Sequence, residues 1–214
     1  MNRDLTTYRK SYEKKSLEEK DLPDSPYTLF SEWFKEVEAA GGVEEPNAMT
    51  VTTNGIDGFP KARIVLLKQY DENGFVFYTN YDSEKGKSIA NNDKVCISFF
   101  WPNLERQVII KGRAAKVSEK ESLQYFLSRP RGSQLGAVAS SQSEVIKSRE
   151  QLENKLAELE KTYKDKEIPK PVSWGGYCVV PIAFEFWQGR ANRLHDRIRF
   201  SIDQKKWIVD RLSP

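Results

Sequence analysis

The stretch AMTVTTNGIDGFPKARIVLLKQYDENGFVFYTN, residues 48–80, decides the fold. Ala48 to Thr53 has a period of two and reads as a strand, and Asn54-Gly55-Ile56-Asp57-Gly58 reads as a turn. Lys61 to Gln69 is the next strand, Asp71-Glu72-Asn73-Gly74 the next turn, and Phe75 to Asn80 the third strand. Short strands joined by tight turns predict an antiparallel meander. Downstream, Lys94 to Trp101 and Arg106 to Val117 read as two more strands, and Gly176 to Trp187, Ile198 to Ile202 and Trp207 to Arg211 as the last three. Between them lie helices at Ser83 to Asn91, at Ser118 to Ser128 with a Ser118/Glu121 capping box, and at Ser143 to Lys164. Upstream, Ser25-Pro26 opens a helix whose stripe of Leu29, Phe30, Trp33, Phe34 and Val37 ends at Gly41-Gly42. The expected class is α+β, mainly antiparallel β, a barrel with helices at its periphery. Residues 1–22 are charged and poor in large apolar groups and read as a mobile arm; residues 23–214 read as a single domain.

Bulk properties narrow the function. Thirty-four basic residues against 31 acidic leave a net charge of +3, too mild to argue for nucleic acid. No apolar run reaches membrane-spanning length, and the first residues lack the apolar core of a signal peptide, so a cytoplasmic protein without a membrane partner is expected. Cys96 and Cys178 sit in strand-like stretches and read as buried free thiols. With one histidine and no Cys/His cluster, no metal site is expected. Neither a Gly-x-Gly-x-x-Gly nor a Walker-type loop is present, which disfavours a Rossmann fold.

Several segments are suited to binding anions or flat rings. Phe184 to Arg197 runs from a strand into a polar bend that holds His195, the only histidine, with Trp187 and three arginines, Arg190, Arg193 and Arg197. Guanidinium groups fork onto phosphate and stack on planar rings, so a planar anionic ligand suits this run; an ordinary salt-bridged turn is the alternative. Arg63 and Lys68, five apart in one expected strand, point to opposite faces, where two separate phosphates would satisfy them, unless both simply reach solvent. Thr79, Ser83 and Lys85 cluster where a strand gives way to a helix and its free amides. Gln107 lies in an apolar strand and needs a partner, either a heteroaromatic ring or a neighbouring strand. Tyr125 and Arg129 share a helix face with Ser133 just beyond, a plausible phosphate clamp, and Gln142-Ser143 is read as the cap of the long helix. Arg9 and Tyr12 stand out in the arm as a guanidinium and an aromatic three apart.

The segments RIVLLK (63–68), FYTN (77–80), LERQV (104–108), SRPRGSQLGA (128–137), SQS (141–143), EFWQGR (185–190) and RLHDR (193–197), in this order, resemble the pyridoxamine 5'-phosphate oxidase family from about residue 9 to the C-terminus. The resemblance implies an FMN-binding split β-barrel, a homodimer with FMN at the subunit interface, and oxidation of pyridoxine 5'-phosphate or pyridoxamine 5'-phosphate to pyridoxal 5'-phosphate. In that activity hydride passes from C4' to flavin N5, and O2 reoxidises the flavin to give H2O2. It implies FMN contacts from Arg63, Ile64, Val65, Leu66, Leu67 and Lys68, from Tyr78, Thr79 and Lys85, and from Gln107, Gln142, Ser143, Trp187 and Arg197. It implies a substrate-phosphate clamp of Lys68, Tyr125, Arg129 and Ser133. Arg193, Leu194 and His195 fall at the substrate ring, with Arg193 and His195 as the catalytic pair, and Arg9 and Tyr12 on a segment that folds over the site. Two positions depart from the family pattern: Glu84 stands where an arginine is usual, with Lys87 nearby as a possible compensating charge, and Val138 stands where tryptophan is common. The readings weighed against this are an NAD(P)H-dependent split-barrel flavin reductase, which would have no use for the Tyr125–Arg129–Ser133 clamp, and a non-catalytic module that binds flavin or pyridoxal phosphate.

Overall fold

The computed structural model describes residues 3–214, which form two compact units. The first comprises the described part of Met1–Thr50 with Cys96–Lys111 and Pro181–Pro214; the second comprises Val51–Val95 and Gly112–Val180. Among the described residues there are nine strands: β1 (Ala48–Asn54), β2 (Pro60–Leu66), β3 (Gln69–Asp71), β4 (Gly74–Asn80), β5 (Lys94–Trp101), β6 (Arg106–Lys116), β7 (Trp174–Gln188), β8 (Asp196–Asp203) and β9 (Lys206–Arg211). Five α-helices accompany them among the described residues: α1 (Pro26–Ala40), α2 (Glu84–Asn91), α3 (Glu119–Ser128), α4 (Arg131–Ala139) and α5 (Arg149–Thr162). Hydrogen bonding joins the strands in the order β2-β1-β5-β6-β7-β4-β3, with β8 beside β7 and β9 beside β8. Pairings β3–β4, β4–β7, β7–β8 and β8–β9 are antiparallel; the meander expected across residues 48–80 is interrupted, because β2 pairs with β1 while β4 lies between β7 and β3.

In the first unit the apolar stripe of α1 does what its spacing requires. Leu29, Phe30, Trp33 and Val37 are buried, Phe30 against Phe99 and Trp33 edge-on to Phe186 at 5.3 Å. Each such ring contributes about 1.5–3 kcal/mol by leaving water. Gly41 (φ 62°) and Gly42 (φ 79°) end the helix in conformations that cost a side-chain-bearing residue more. Arg106 is buried with its guanidinium 4.2 Å over Trp33, and it donates to Gln188 Oε1 (2.9 Å) and Glu36 Oε2 (3.0 Å). Gln188 Nε2 in turn donates to the carbonyls of Leu104 and Glu105. This buried network holds the end of β7, and with it Trp187, in one place.

In the second unit α2 is capped by Ser83, whose hydroxyl accepts from Gly86 N, and α3 by the Ser118/Glu121 box, in which both reciprocal bonds form. Strand β4 pairs with the first half of β7, setting Tyr78 opposite Gly176 and Asn80 opposite Trp174. Phe126, Leu135, Ile168 and Trp174 form a core cluster onto which Leu156 and Leu159 of α5 pack.

Three further details differ from the sequence reading. The strand expected from Lys61 to Gln69 stops at Leu66, and a separate β3 follows, so Arg63 and Lys68 are not held to opposite faces of one ladder. The long helix starts at Arg149, capped by Ser148, and not at Ser143; Val145 is exposed, and Gln142-Ser143 is not a cap. Helix α4 was not anticipated because Pro130, Gly132 and Gly136 are poor helix signals; burial of Leu135 and Ala139 outweighs them. Cys96 and Cys178 are free and only half-buried, with both thiol pKa values raised by burial. No helix among the described residues is long and apolar enough to cross a membrane.

Candidate active site

A cavity of about 1100 Å³ opens in the second unit. Strand β2 supplies Lys61, Arg63, Ile64, Val65 and Leu66, and Lys68 follows just beyond its end. The end of β4 supplies Tyr78, Thr79 and Asn80, and the start of α2 supplies Glu84 and Lys85. Tyr125 and Arg129 come from the α3 end, Ser133 from α4, Gln142 and Ser143 from the segment before α5, and Trp174 from β7. Five basic side chains, Lys61, Arg63, Lys68, Lys85 and Arg129, thus face a single carboxylate, Glu84. Leu67 is buried and does not line the cavity.

Two groups of contacts organise the lining. In one, Lys85 is 8% exposed, and its Nζ donates to Thr79 Oγ1 (3.0 Å), Gln142 Oε1 (3.1 Å) and Ser83 Oγ (3.5 Å). The Thr79 hydroxyl (3.0 Å) and the Asn80 backbone N–H (3.4 Å) also donate to Gln142 Oε1. Three donors therefore converge on one oxygen, an arrangement a phosphate oxygen would also satisfy. Burial and the nearby Arg63 lower the Lys85 pKa to about 8, opposed by Glu84. Arg63 donates to the carbonyls of Val51 and Lys61 and to Thr53 Oγ1, and burial lowers its pKa as well. Ser143 has φ 74°, the left-handed strain of about 1–3 kcal/mol that clusters at functional segments.

The other group is aromatic. Tyr78 stacks on Tyr125 (centroids 3.9 Å apart) and on Trp174 (5.5 Å), and the Arg129 guanidinium lies 4.8 Å over Trp174. Arg129 NH1 is buried with no hydrogen-bond partner. Such an atom needs an acceptor, and a ligand oxygen would supply one. The cationic excess, the three-donor oxygen position and this orphan guanidinium nitrogen all fit phosphorylated ligands. Lys61 and Trp174 were not singled out from the sequence; a lysine two before Arg63 on the same strand face was the available signal for the first. Nothing local marked Trp174.

The remaining candidates lie in the first unit. Register places Trp187 opposite Arg197, and the Trp187 and His195 rings are 4.6 Å apart. Tyr12 packs edge-on to Trp187 at 5.7 Å and against His195 at 5.8 Å. Gly189 permits this approach, since a Cβ there would lie 2.8 Å from the Tyr12 ring. His195 Nδ1 accepts the Arg190 backbone N–H at 3.1 Å, which leaves Nε2 to carry the proton of the neutral ring. Burial and Arg193 lower the His195 pKa, opposed by Asp196. Asn192 and Arg193 are both left-handed (φ 56° and 62°), and this tight bend leaves Arg193 and Leu194 exposed. Arg197 is ion-paired with Glu185 and donates to the Ser213 carbonyl. Gln107 takes the cross-strand partner, Ser98 Oγ at 3.3 Å, and Arg9 donates to the Thr6 carbonyl within its own segment. Residues 13–17 are tied down by Glu105, which accepts from the Glu13 and Lys14 N–H groups, and by Asp196, which accepts from Leu17 N.

Residues 35–163 match the family described as pyridoxamine 5'-phosphate oxidase, and residues 174–214 match its C-terminal dimerisation region. A pyridoxine/pyridoxamine 5'-phosphate oxidase of Flavobacterium psychrophilum is 60% identical over 213 residues, covering 99% of this chain and all of that protein. One from Nostoc sp. is 49% identical over 215 residues, covering 100% of both chains. Among solved structures, PhzG of Burkholderia lata 383, in complex with tetrahydrophenazine-1-carboxylic acid, is 29% identical with a TM-score of 0.85, covering 91% of this chain and 95% of that one. An FMN-binding protein of Nostoc punctiforme shares the fold at 15% identity and a TM-score of 0.70, covering 89% of this chain and 98% of its own. With both family regions matched and relatives of that identity aligned end to end, this chain is an enzyme of split-barrel fold that belongs to the pyridoxine/pyridoxamine 5'-phosphate oxidase family.

Proposed function

We propose that this enzyme oxidises pyridoxine 5'-phosphate or pyridoxamine 5'-phosphate to pyridoxal 5'-phosphate in the cytoplasm, with FMN as cofactor. The observation that carries the reading is the cavity itself, with five cations against one carboxylate and a buried guanidinium nitrogen awaiting an acceptor. Cofactor and substrate each bring a phosphate and a flat ring, so the site must take two dianions and two planes. Arg63 and Lys85, with Thr79, Gln142 and Ser143, suit the cofactor phosphate; Lys68, Tyr125, Arg129 and Ser133 suit the substrate phosphate. When bound, FMN would supply the hydride acceptor for substrate C4', with O2 as final oxidant and H2O2 as its product.

The chain's own part is binding and orientation. Gripping the phosphate remote from C4' fixes the substrate ring, so that binding energy supplies alignment. The Arg193 guanidinium stabilises negative charge that develops on the C4' oxygen or nitrogen as its proton leaves. His195, its Nδ1 engaged by Arg190 N–H, donates from Nε2 to an acceptor on a bound ring and does not remove a proton there. The match of residues 174–214 to a dimerisation region supports a homodimer; a site at the subunit interface would bring Trp187, Arg193, His195 and Arg197 of one subunit to the cavity of its partner.

The deciding experiment is oxygen uptake by FMN-loaded protein. Both phosphorylated substrates are expected to consume O2 and form peroxide one for one. Turnover of NADPH with neither B6 substrate oxidised would establish a flavin reductase instead.

A pH dependence follows from Lys85. Its pKa is near 8 in the fold against an ordinary value of 10.5, so between those values the unfolded chain binds the extra proton and stability of the ligand-free protein rises with pH. FMN affinity runs the opposite way: it is full below pH 8 and falls above it as Lys85 loses its charge. Titrating ligand-free protein with FMN from pH 7 to 10 checks this; Lys85→Met is expected to bind weakly with a flat profile across that range.

A further inference from the structure

Glu84 is the one carboxylate in the cavity, and the reading above gives it no role. It directly precedes Lys85 at the start of α2 and bears on the electrostatics of that buried amine. A carboxylate facing a site for phosphate dianions repels the ligand. Lys61 also lines the cavity, on the face of β2 that carries Arg63, and its Nζ is ion-paired with Glu84 Oε2. The Lys61 carbonyl accepts from Arg63 NH1 at 2.7 Å, which ties the two basic residues into one local arrangement. Lys87 is exposed and does not line the cavity, so Lys61 and not Lys87 is the cation that meets Glu84.

We infer that Lys61 is a charge-compensating residue of the cofactor-phosphate site: by holding Glu84 it cancels the only negative charge in the cavity and so sets the affinity for the FMN phosphate. The inference rests on the FMN reading above. The pair is too open to matter much for folding, since the Lys61 and Glu84 side chains are 56% and 45% exposed. Without Lys61, the Glu84 carboxylate is left unpaired at the cavity wall and repels the phosphate.

The test is fluorescence titration of flavin-stripped protein with FMN and with riboflavin, which lacks the phosphate. Wild type, Lys61→Ala, Glu84→Gln and the double variant are compared, with thermal melts to show that each is folded. Lys61→Ala is expected to weaken FMN about tenfold and leave riboflavin within about twofold, as removal of one partner of a charge pair does. The double variant is expected to return FMN affinity to within about threefold of wild type, the coupling that a shared electrostatic unit shows. Pyridoxal 5'-phosphate affinity is expected to be unchanged throughout. Unaltered FMN binding by Lys61→Ala, equal weakening of both flavins, a double variant no better than Lys61→Ala, or a loss confined to pyridoxal 5'-phosphate each overturns the inference alone. Wild-type protein that binds neither flavin overturns the cofactor reading, and this inference with it.

Discussion

Replacing Arg129 by alanine is expected to lower kcat/KM for a phosphorylated substrate by about 100-fold, the scale of one charge-assisted hydrogen bond of roughly 2–3 kcal/mol in a partly buried site. The residue is placed for that contact. Its guanidinium lies 4.8 Å over Trp174, and NH1 is buried with no partner in the protein. The stack fixes the plane of the fork before a ligand arrives, so little side-chain entropy is lost on binding. Arg129→Lys keeps the charge but loses the fork and the stack, and is expected to cost about tenfold. Substrates without a phosphate separate this role from a structural one. Pyridoxamine and pyridoxine are expected to be equally poor for wild type and Arg129→Ala, because neither offers the group that Arg129 holds. FMN affinity is expected to be unchanged. If the variant loses the same factor on phosphorylated and unphosphorylated substrates, Arg129 supports the fold of the site and does not read the phosphate.

The second large effect is on stability. Asp196 is 9% exposed; its Oδ2 accepts from Leu17 N and Arg190 NH1 (both 3.1 Å) and its Oδ1 from Arg211 NH1 (2.8 Å). Arg211 continues the network to the Leu17 carbonyl and to Glu19. Asp196→Ala leaves the buried Leu17 N–H without its acceptor, removes one acceptor from each of two guanidinium groups, and is expected to destabilise by about 2–4 kcal/mol. The cost is local as well as global. Leu17 is expected to lose hydrogen-exchange protection, and residues 13–19 to become susceptible to protease, before the remainder of the chain. Since Tyr12 packs on Trp187 and His195, turnover is expected to fall with that segment's release. Urea melts and exchange at Leu17 check this, and unchanged protection at Leu17 would remove Asp196 as the anchor. The neighbouring pair gives an acid signature. Hydrogen bonding to Arg211 holds the Glu19 carboxyl at about 2, below its ordinary 4.5, so its contribution is present above pH 4.5 and is lost as pH falls toward 2.

How far the sequence could be read depended on the range of the interaction concerned. The α1 stripe and the Ser118/Glu121 box each depend on neighbours a few positions away, and both are present in the structure, as is the β3–β4 hairpin; the meander expected across residues 48–80 is interrupted, because β2 pairs with β1 while β4 lies between β7 and β3. The misplaced features depend on distant partners. Helix α4 forms against its own glycines because Leu135 joins a cluster with Phe126, Ile168 and Trp174. Strand β2 ends early although Leu67 continues its apolar run, because Lys68 N turns to the Val76 carbonyl. The candidate residues were named through a family resemblance carried by seven segments; their charges and rings suggested anions and planes but not which segments share one cavity.

By itself the sequence determined the element types and most of their limits, the antiparallel character of the sheet, and a set of anion-seeking side chains. Periodicity and capping are local, and guanidinium and ammonium chemistry belongs to the residue wherever it lies. Only the tertiary structure decided that Arg63 and Lys68 line the same cavity, that the amide of Gln142 sits on Lys85, that Glu84 is held by Lys61, and that the Asp196 carboxylate anchors Leu17. Those pairings join residues far apart in the chain, and which charge meets which is set by the packing of the elements that carry them.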